Sequence, residues 1–81
     1  MKLFYTERFQ REYESAPLHI QHAFDRRAAL LVQNLRHPSL RAKKYDEEHD
    51  IWQARVNGGW RFYFTIEGDT YRILSIIPHP K

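Results

Sequence analysis

The stretch Ile51 to Phe64, IWQARVNGGWRFYF, constrains this chain more than any other segment. It reads as a β-hairpin turning at Asn57-Gly58-Gly59. Apolar residues fall on every second position: Trp52, Ala54 and Val56 before the turn, Trp60, Phe62 and Phe64 after it. Placing all six on one buried face requires a three-residue loop that pairs Val56 with Trp60, because a slip of one residue turns half the aromatics to water. The same register sets Arg55 directly opposite Arg61 on the other face, with Gln53 opposite Tyr63. Like charges directly across a ladder are unfavourable by a few tenths of a kcal/mol or more. Either an anion or acidic partner sits between the two arginines, or both are solvated and paired with acids from a neighbouring loop.

A chain of 81 residues makes one domain, 1–81, with one core. Two Trp, five Tyr and five Phe help to fill that core in a domain of otherwise modest burial. The absence of cysteine excludes a disulfide framework and thiol chemistry. No apolar run approaches the ~18 residues of a membrane span, and MKLFYTERF lacks a signal-peptide layout. A soluble, intracellular protein is expected. The net charge of +3 is compatible with a polyanion partner without demanding one. Its arrangement says more. Arg36 to Lys44, RHPSLRAKK, holds four Lys/Arg, one His and no acid; YDEEHD follows with Asp46, Glu47, Glu48 and Asp50.

Lys2 to Thr6 reads as a first strand. Thr6 is placed to cap a short helix beginning at Glu7 and burying Phe9 and Tyr13. Ser15-Ala16-Pro17 punctuates, and a second helix runs from about Leu18 to about Leu35 with Ile20, Phe24, Ala28, Leu31 and Leu35 as its buried stripe. His37-Pro38 ends it, since the residue before Pro avoids the α region. Residues 36–50 read as a loop. After the hairpin, Glu67-Gly68-Asp69 turns the chain into a last strand from about Thr70 to Ile77, and Pro78-His79-Pro80-Lys81 forms a stiff tail. The expected class is α+β, with the order β-α-α-β-β-β: two helices on one face of a largely antiparallel four-stranded sheet.

That order resembles the RelE/ParE superfamily of small bacterial toxins. So do the helical hairpin ending in HPSL, the basic loop, the IWxARVNGxWRFxF hairpin and the short last strand. The likeness spans nearly the whole chain, and WxxRVNGxWR in its topological place is its strongest element. The resemblance implies the toxin of a type II toxin–antitoxin system. On the RelE side it implies an endoribonuclease that cuts mRNA in the ribosomal A site. On the ParE side it implies a poison of DNA gyrase without catalysis, and a catalytically silent binder of RNA or antitoxin is a third reading. A cognate antitoxin is the implied partner, with DNA reached only through the antitoxin complex. A bacterial cytoplasmic location follows, with no membrane partner, cofactor or metal. By position, Arg61 matches the family's arginine at the start of the third strand, Arg55 a basic position on the second, and His79 the terminal His of some branches. Lys43 and Lys44 fall in the loop that often supplies a Lys or an acidic base. The chain departs from the pattern in having no tyrosine after His79.

RNA cleavage without a metal needs a base for the 2′-hydroxyl proton, positive groups for the phosphorane, and an acid for the departing 5′-oxygen. Arginine suits the second task, because its planar fork grips phosphate oxygens bidentately and stays charged. Arg61 and Arg55 are the candidates for it. Imidazole is the side-chain type suited to acid or base work near neutral pH, so His79 fits either role, although a residue this near the terminus is also open to fraying. Lys44 is the remaining catalytic candidate. Lys43, Arg41, Arg36 and Lys81 are expected to hold or steer phosphate, and Tyr63 is the hairpin aromatic placed to stack a base. His19 and His22, three apart on the second helix, lack further ligands and read as surface residues.

Overall fold

The computed structural model describes residues 1–80, so the expectation for Lys81 lies outside the described residues. The chain forms β1 (Lys2–Tyr5), α1 (Glu7–Ser15), α2 (Leu18–Gln33), a 3-10 turn (Pro38–Leu40), β2 (Lys43–Asp46), β3 (Ile51–Asn57), β4 (Trp60–Glu67) and β5 (Thr70–Pro78). The strands lie in the order β1-β5-β4-β3-β2, with β1 parallel to β5 and every other pair antiparallel. The α+β architecture is as expected, but the sheet has five strands rather than four. The additional strand is β2, in a stretch whose charge reads as loop. An edge strand pairs through its backbone on one side only, so it needs no apolar alternation, and lysines with a bulge suit a protected edge. Lys43 and Lys44 pair with Gln53 and Trp52, and the register then shifts before Asp46 meets Ile51.

The hairpin keeps its expected faces by a different device. Gly58 and Gly59 make a two-residue turn that pairs Asn57, not Val56, with Trp60, and Val56 is taken up in a bulge between Arg55 and Asn57. One extra residue in the strand restores the alternation that a three-residue loop would have given. The Asn57 side chain accepts from the Gly59 amide at 2.8 Å, which holds the turn. Arg55 therefore still opposes Arg61, and Gln53 opposes Tyr63.

Thr6 caps α1 as its position predicts: its Oγ1 accepts from the Phe9 amide at 3.1 Å and donates to the Leu74 carbonyl at 3.1 Å. α2 stops at Gln33, short of Leu35 and His37. Asn34 takes an extended conformation and its side chain accepts from the Arg36 amide, a local bond that competes with continuing the helix. Phe9, Ile20, Phe24, Ala28 and Leu31 from the helices meet Leu40, Ala54, Val56, Phe62, Phe64, Ile73 and Ile76 in one core. Phe24 sits edge-on to Phe62 at 5.1 Å. β1 ends opposite Ile73, so the free edge of β5 beyond it needs another acceptor. Glu12 supplies it, with Oε1 accepting from the Ser75 hydroxyl at 2.7 Å and from the Ile76 amide at 3.1 Å. Among the described residues no helix is long and apolar enough to cross a membrane.

Candidate nucleic-acid interface

With the helices covering one face, outward positions of β2 to β4 and the segments flanking the sheet carry a group of basic residues. Arg41, Lys43, Gln53, Arg55, Arg61 and His79 line one concavity of about 200 Å³, together with Ala54. Five of those six side chains are sequence candidates, drawn from four separate segments. β3 and β4 set Arg55 against Arg61. Lys43 stands opposite Gln53 on the edge strand. Arg41 follows the 3-10 turn in a left-handed conformation, φ 46°, its amide bonded to the Pro38 carbonyl.

Two of these groups are held rather than free to wander. Arg61 Nη1 donates to the carbonyls of Asn57 at 2.7 Å and Trp60 at 3.0 Å, which fixes the guanidinium against the turn. The His79 amide donates to the Gly59 carbonyl at 2.8 Å, and Pro78 pairs with Trp60 at the end of β5. The backbone of His79 is thus tied to the hairpin.

The alternative placing of Arg55 and Arg61 against the acidic loop is not what forms. Asp46 spends its carboxylate inside that loop, accepting from the His49 amide at 3.2 Å and pairing with His49 Nδ1 at 2.9 Å. The side-chain bond from His49 is the main reason its carboxyl sits below the usual range. Asp50 and Glu47 turn to Lys44, at 3.0 Å and 4.0 Å. Among the described residues no Asp or Glu lies within salt-bridge distance of Arg41, Lys43, Arg55 or Arg61.

Lys44 is not part of this cluster. It pairs with Trp52 across the ladder, on the helix-facing side, and its Nζ lies 5.3 Å from the Trp52 ring centre. Its hydrogen bond to Asp50 raises its pKa, the opposite of what a lysine base needs. Arg36 is exposed beyond α2 and does not line the concavity. Tyr63 lies beside it: its hydroxyl accepts from Gln53 Nε2 at 3.0 Å, and its ring faces an adjoining hollow.

Three participants escape a reading of the sequence. Gln53 is 7% exposed, an amide tucked between Tyr63 and the cations. Arg27, on α2, bonds the Val56 carbonyl through Nε at 3.1 Å and joins Arg41 and Arg55 around a second basic depression. Tyr45 meets Tyr63 edge to face at 4.9 Å. Only the partner strand or helix reveals them; a polar residue at an outward register position was the one signal present, for Gln53. Among the described residues no three His, Cys, Asp or Glu side chains converge to hold a metal ion.

No protein-family model matches the sequence, and no curated protein is similar to it in sequence. Solved structures are similar in fold. A YoeB/ParE toxin from Agrobacterium tumefaciens matches at TM-score 0.83 and 14% identity, over 99% of this chain and 100% of that one. The RelB–RelE antitoxin–toxin complex of Methanococcus jannaschii matches at TM-score 0.77 and 18% identity, over 93% and 88%. A RelBE toxin–antitoxin complex from Mycobacterium tuberculosis matches at TM-score 0.79 and 21% identity, over 96% of each chain. Matched over nearly its full length by these structures, this chain has the RelE/ParE toxin fold.

Proposed function

We propose that the protein is the toxin of a type II toxin–antitoxin pair and cuts mRNA in the ribosomal A site without a metal ion. The observation that carries this reading is the concavity of Arg41, Lys43, Arg55, Arg61 and His79, whose four permanent cations have no carboxylate partner among the described residues. Collecting like charges in one hollow disfavours folding unless an anion neutralises them. RNA lies across the open sheet face in this reading. Arg61, braced by two carbonyls, and Arg55 grip the scissile phosphate and stabilise the phosphorane. His79 moves a proton, as base at the 2′-hydroxyl or as acid at the 5′-oxygen. Lys43 and Arg41 hold the flanking backbone.

Complexes with antitoxins among the structures of this fold support a cognate antitoxin here. An acidic segment that folds onto the basic face would neutralise the same charges and block the substrate. A bacterial cytoplasmic location belongs to the same proposal.

The test is cleavage of a defined mRNA on stalled ribosomes in the presence of EDTA, with wild type, Arg61→Ala and His79→Ala. A-site cuts that fall by at least a hundredfold in Arg61→Ala, with the fold retained, support the assignment; removal of one such donor costs about 10²–10³ in rate. Intact mRNA with folded wild type, accompanied by blocked gyrase, moves the protein to the gyrase-poisoning branch.

A further inference from the structure

Beside the basic concavity, the open face carries a second and larger hollow of about 460 Å³ that phosphate chemistry does not use. Tyr45, Tyr63, Ile51, Leu74 and Ile77 supply its largely apolar lining, and Arg8 stands at its margin. It is continuous with the concavity through the sheet register. Arg61 pairs with Ile77 and Tyr63 with Gln53, so each ladder rung joins a residue of one depression to a residue of the other. Arg61 and Tyr63 are two residues apart on β4, about 7 Å along the strand and on the same face.

Tyr45 is the unusual member. It is 62% exposed, the second most exposed large apolar side chain of the described residues, and it occupies the β2 irregularity between Lys44 and Asp46. Its ring meets Tyr63 edge to face, and most of the residue is open to solvent. Tyr63 is fixed from beneath by the Gln53 amide. An exposed aromatic pair whose Tyr63 is two residues from Arg61, beside two arginines with no carboxylate partner among the described residues, is the combination that binds single-stranded nucleic acid: cations take the backbone and rings take the bases. Among the described residues the lining includes no carboxylate, and Arg8 at its edge is paired with Glu12 at 3.4 Å.

We infer that this hollow seats one nucleobase of the RNA, stacked on Tyr45 against Tyr63, adjacent to the phosphate held by Arg55 and Arg61. The inference rests on the proposed reading of the basic face and adds the base site that reading lacks. Stacking is sequence-tolerant, so the site holds any base, and purines, with the larger faces, are held best.

Two assays separate this inference from the nuclease reading. In the first, a short labelled single-stranded RNA is titrated by anisotropy across a salt series. Tyr45→Ala is expected to weaken binding about 5- to 150-fold, with Tyr45→Phe close to wild type. The salt slope should stay the same in Tyr45→Ala but fall by about one in Arg61→Ala. In the second, A-site cleavage is measured on mRNAs carrying one abasic nucleotide at each codon position. One position should reproduce the Tyr45→Ala loss in wild type and add nothing to it in the variant. RNA binding that responds to Tyr45 without any cleavage sinks the nuclease reading and leaves the base site standing. Binding indifferent to Tyr45, or a hollow occupied only by an acidic peptide that RNA fails to displace, overturns the inference.

Discussion

Replacing Arg55 by Glu should make the protein more stable while removing the RNA affinity proposed for its open face. Arg55 is the cleaner half of the pair, because Arg61 also bonds two turn carbonyls whose loss would confound the result. Directly opposed residues hold their Cβ atoms about 5 Å apart, and unit charges about 5–6 Å apart in water repel by about 0.7–0.8 kcal/mol. Reversing one charge turns repulsion into attraction, a swing of about 1.5 kcal/mol at most. Side-chain freedom roughly halves this, in line with the 0.2–1 kcal/mol of cross-strand pairs, so a gain of about 0.7 kcal/mol is expected. In a domain of this size that is a rise of about 3–6 °C in Tm. Thermal melts at about 10 mM and 1 M salt read it, since at 1 M the screening length is about 3 Å and the gain should vanish. Arg55→Gln should deliver about half the gain. A melt lowered at low salt, or a gain indifferent to salt, would refute the repulsion on which the functional argument stands. Retained RNA binding in Arg55→Glu would refute it equally.

Two further tests address the scaffold. Glu12→Ala leaves the Ile76 amide at the β5 edge without its acceptor and should cost about 1–3 kcal/mol, read as a lower urea midpoint, with Glu12→Gln recovering part of it. Tyr5 and Tyr13 ionise above their usual range, mainly through burial and then through Asp25, and Tyr71 through burial alone. A raised folded pKa gives stability that is complete below the unfolded value of about 10 and is lost as pH rises through the folded one. Urea midpoints should therefore fall steeply above pH 10. Tyr13→Phe should soften that fall, and an unchanged slope would remove Tyr13 from the account.

What was legible in the sequence divides along physical lines. The hairpin was readable because each of its six inward residues votes for one register, and the cost of burying Arg55 or Arg61 forbids the other. How the register is met was not readable. A three-residue loop and a two-residue turn with a bulge at Val56 present the same side chains to the same faces, and the choice lies in backbone bonds around Asn57. Likewise β2 is specified by pairing with β3, a non-local term, while its own residues Lys43 and Lys44 speak only of solvent. The end of α2 moved for a local reason: Asn34 supplies a competing bond four residues before Pro38 exerts its steric veto.

The candidate site follows the same division with one further step. Arg55 and Arg61 were legible because a strand period fixes their relation to each other. Lys43 and Lys44 were not distinguishable, because adjacent residues on an unrecognised strand point to opposite faces. Once β2 exists, the pleat decides the matter. Lys43 goes to the concavity and Lys44 to Trp52, where Asp50 and Glu47 follow it. Among the described residues, that diversion is what leaves the concavity without an acid. The YDEEHD run supplies enough negative charge to neutralise Arg55 and Arg61, yet the tight turn through Asp50, at φ 53°, folds that charge back on Lys44 and His49. The lack of a carboxylate partner on the open face, among the described residues, is therefore a product of how the turn between β2 and β3 folds.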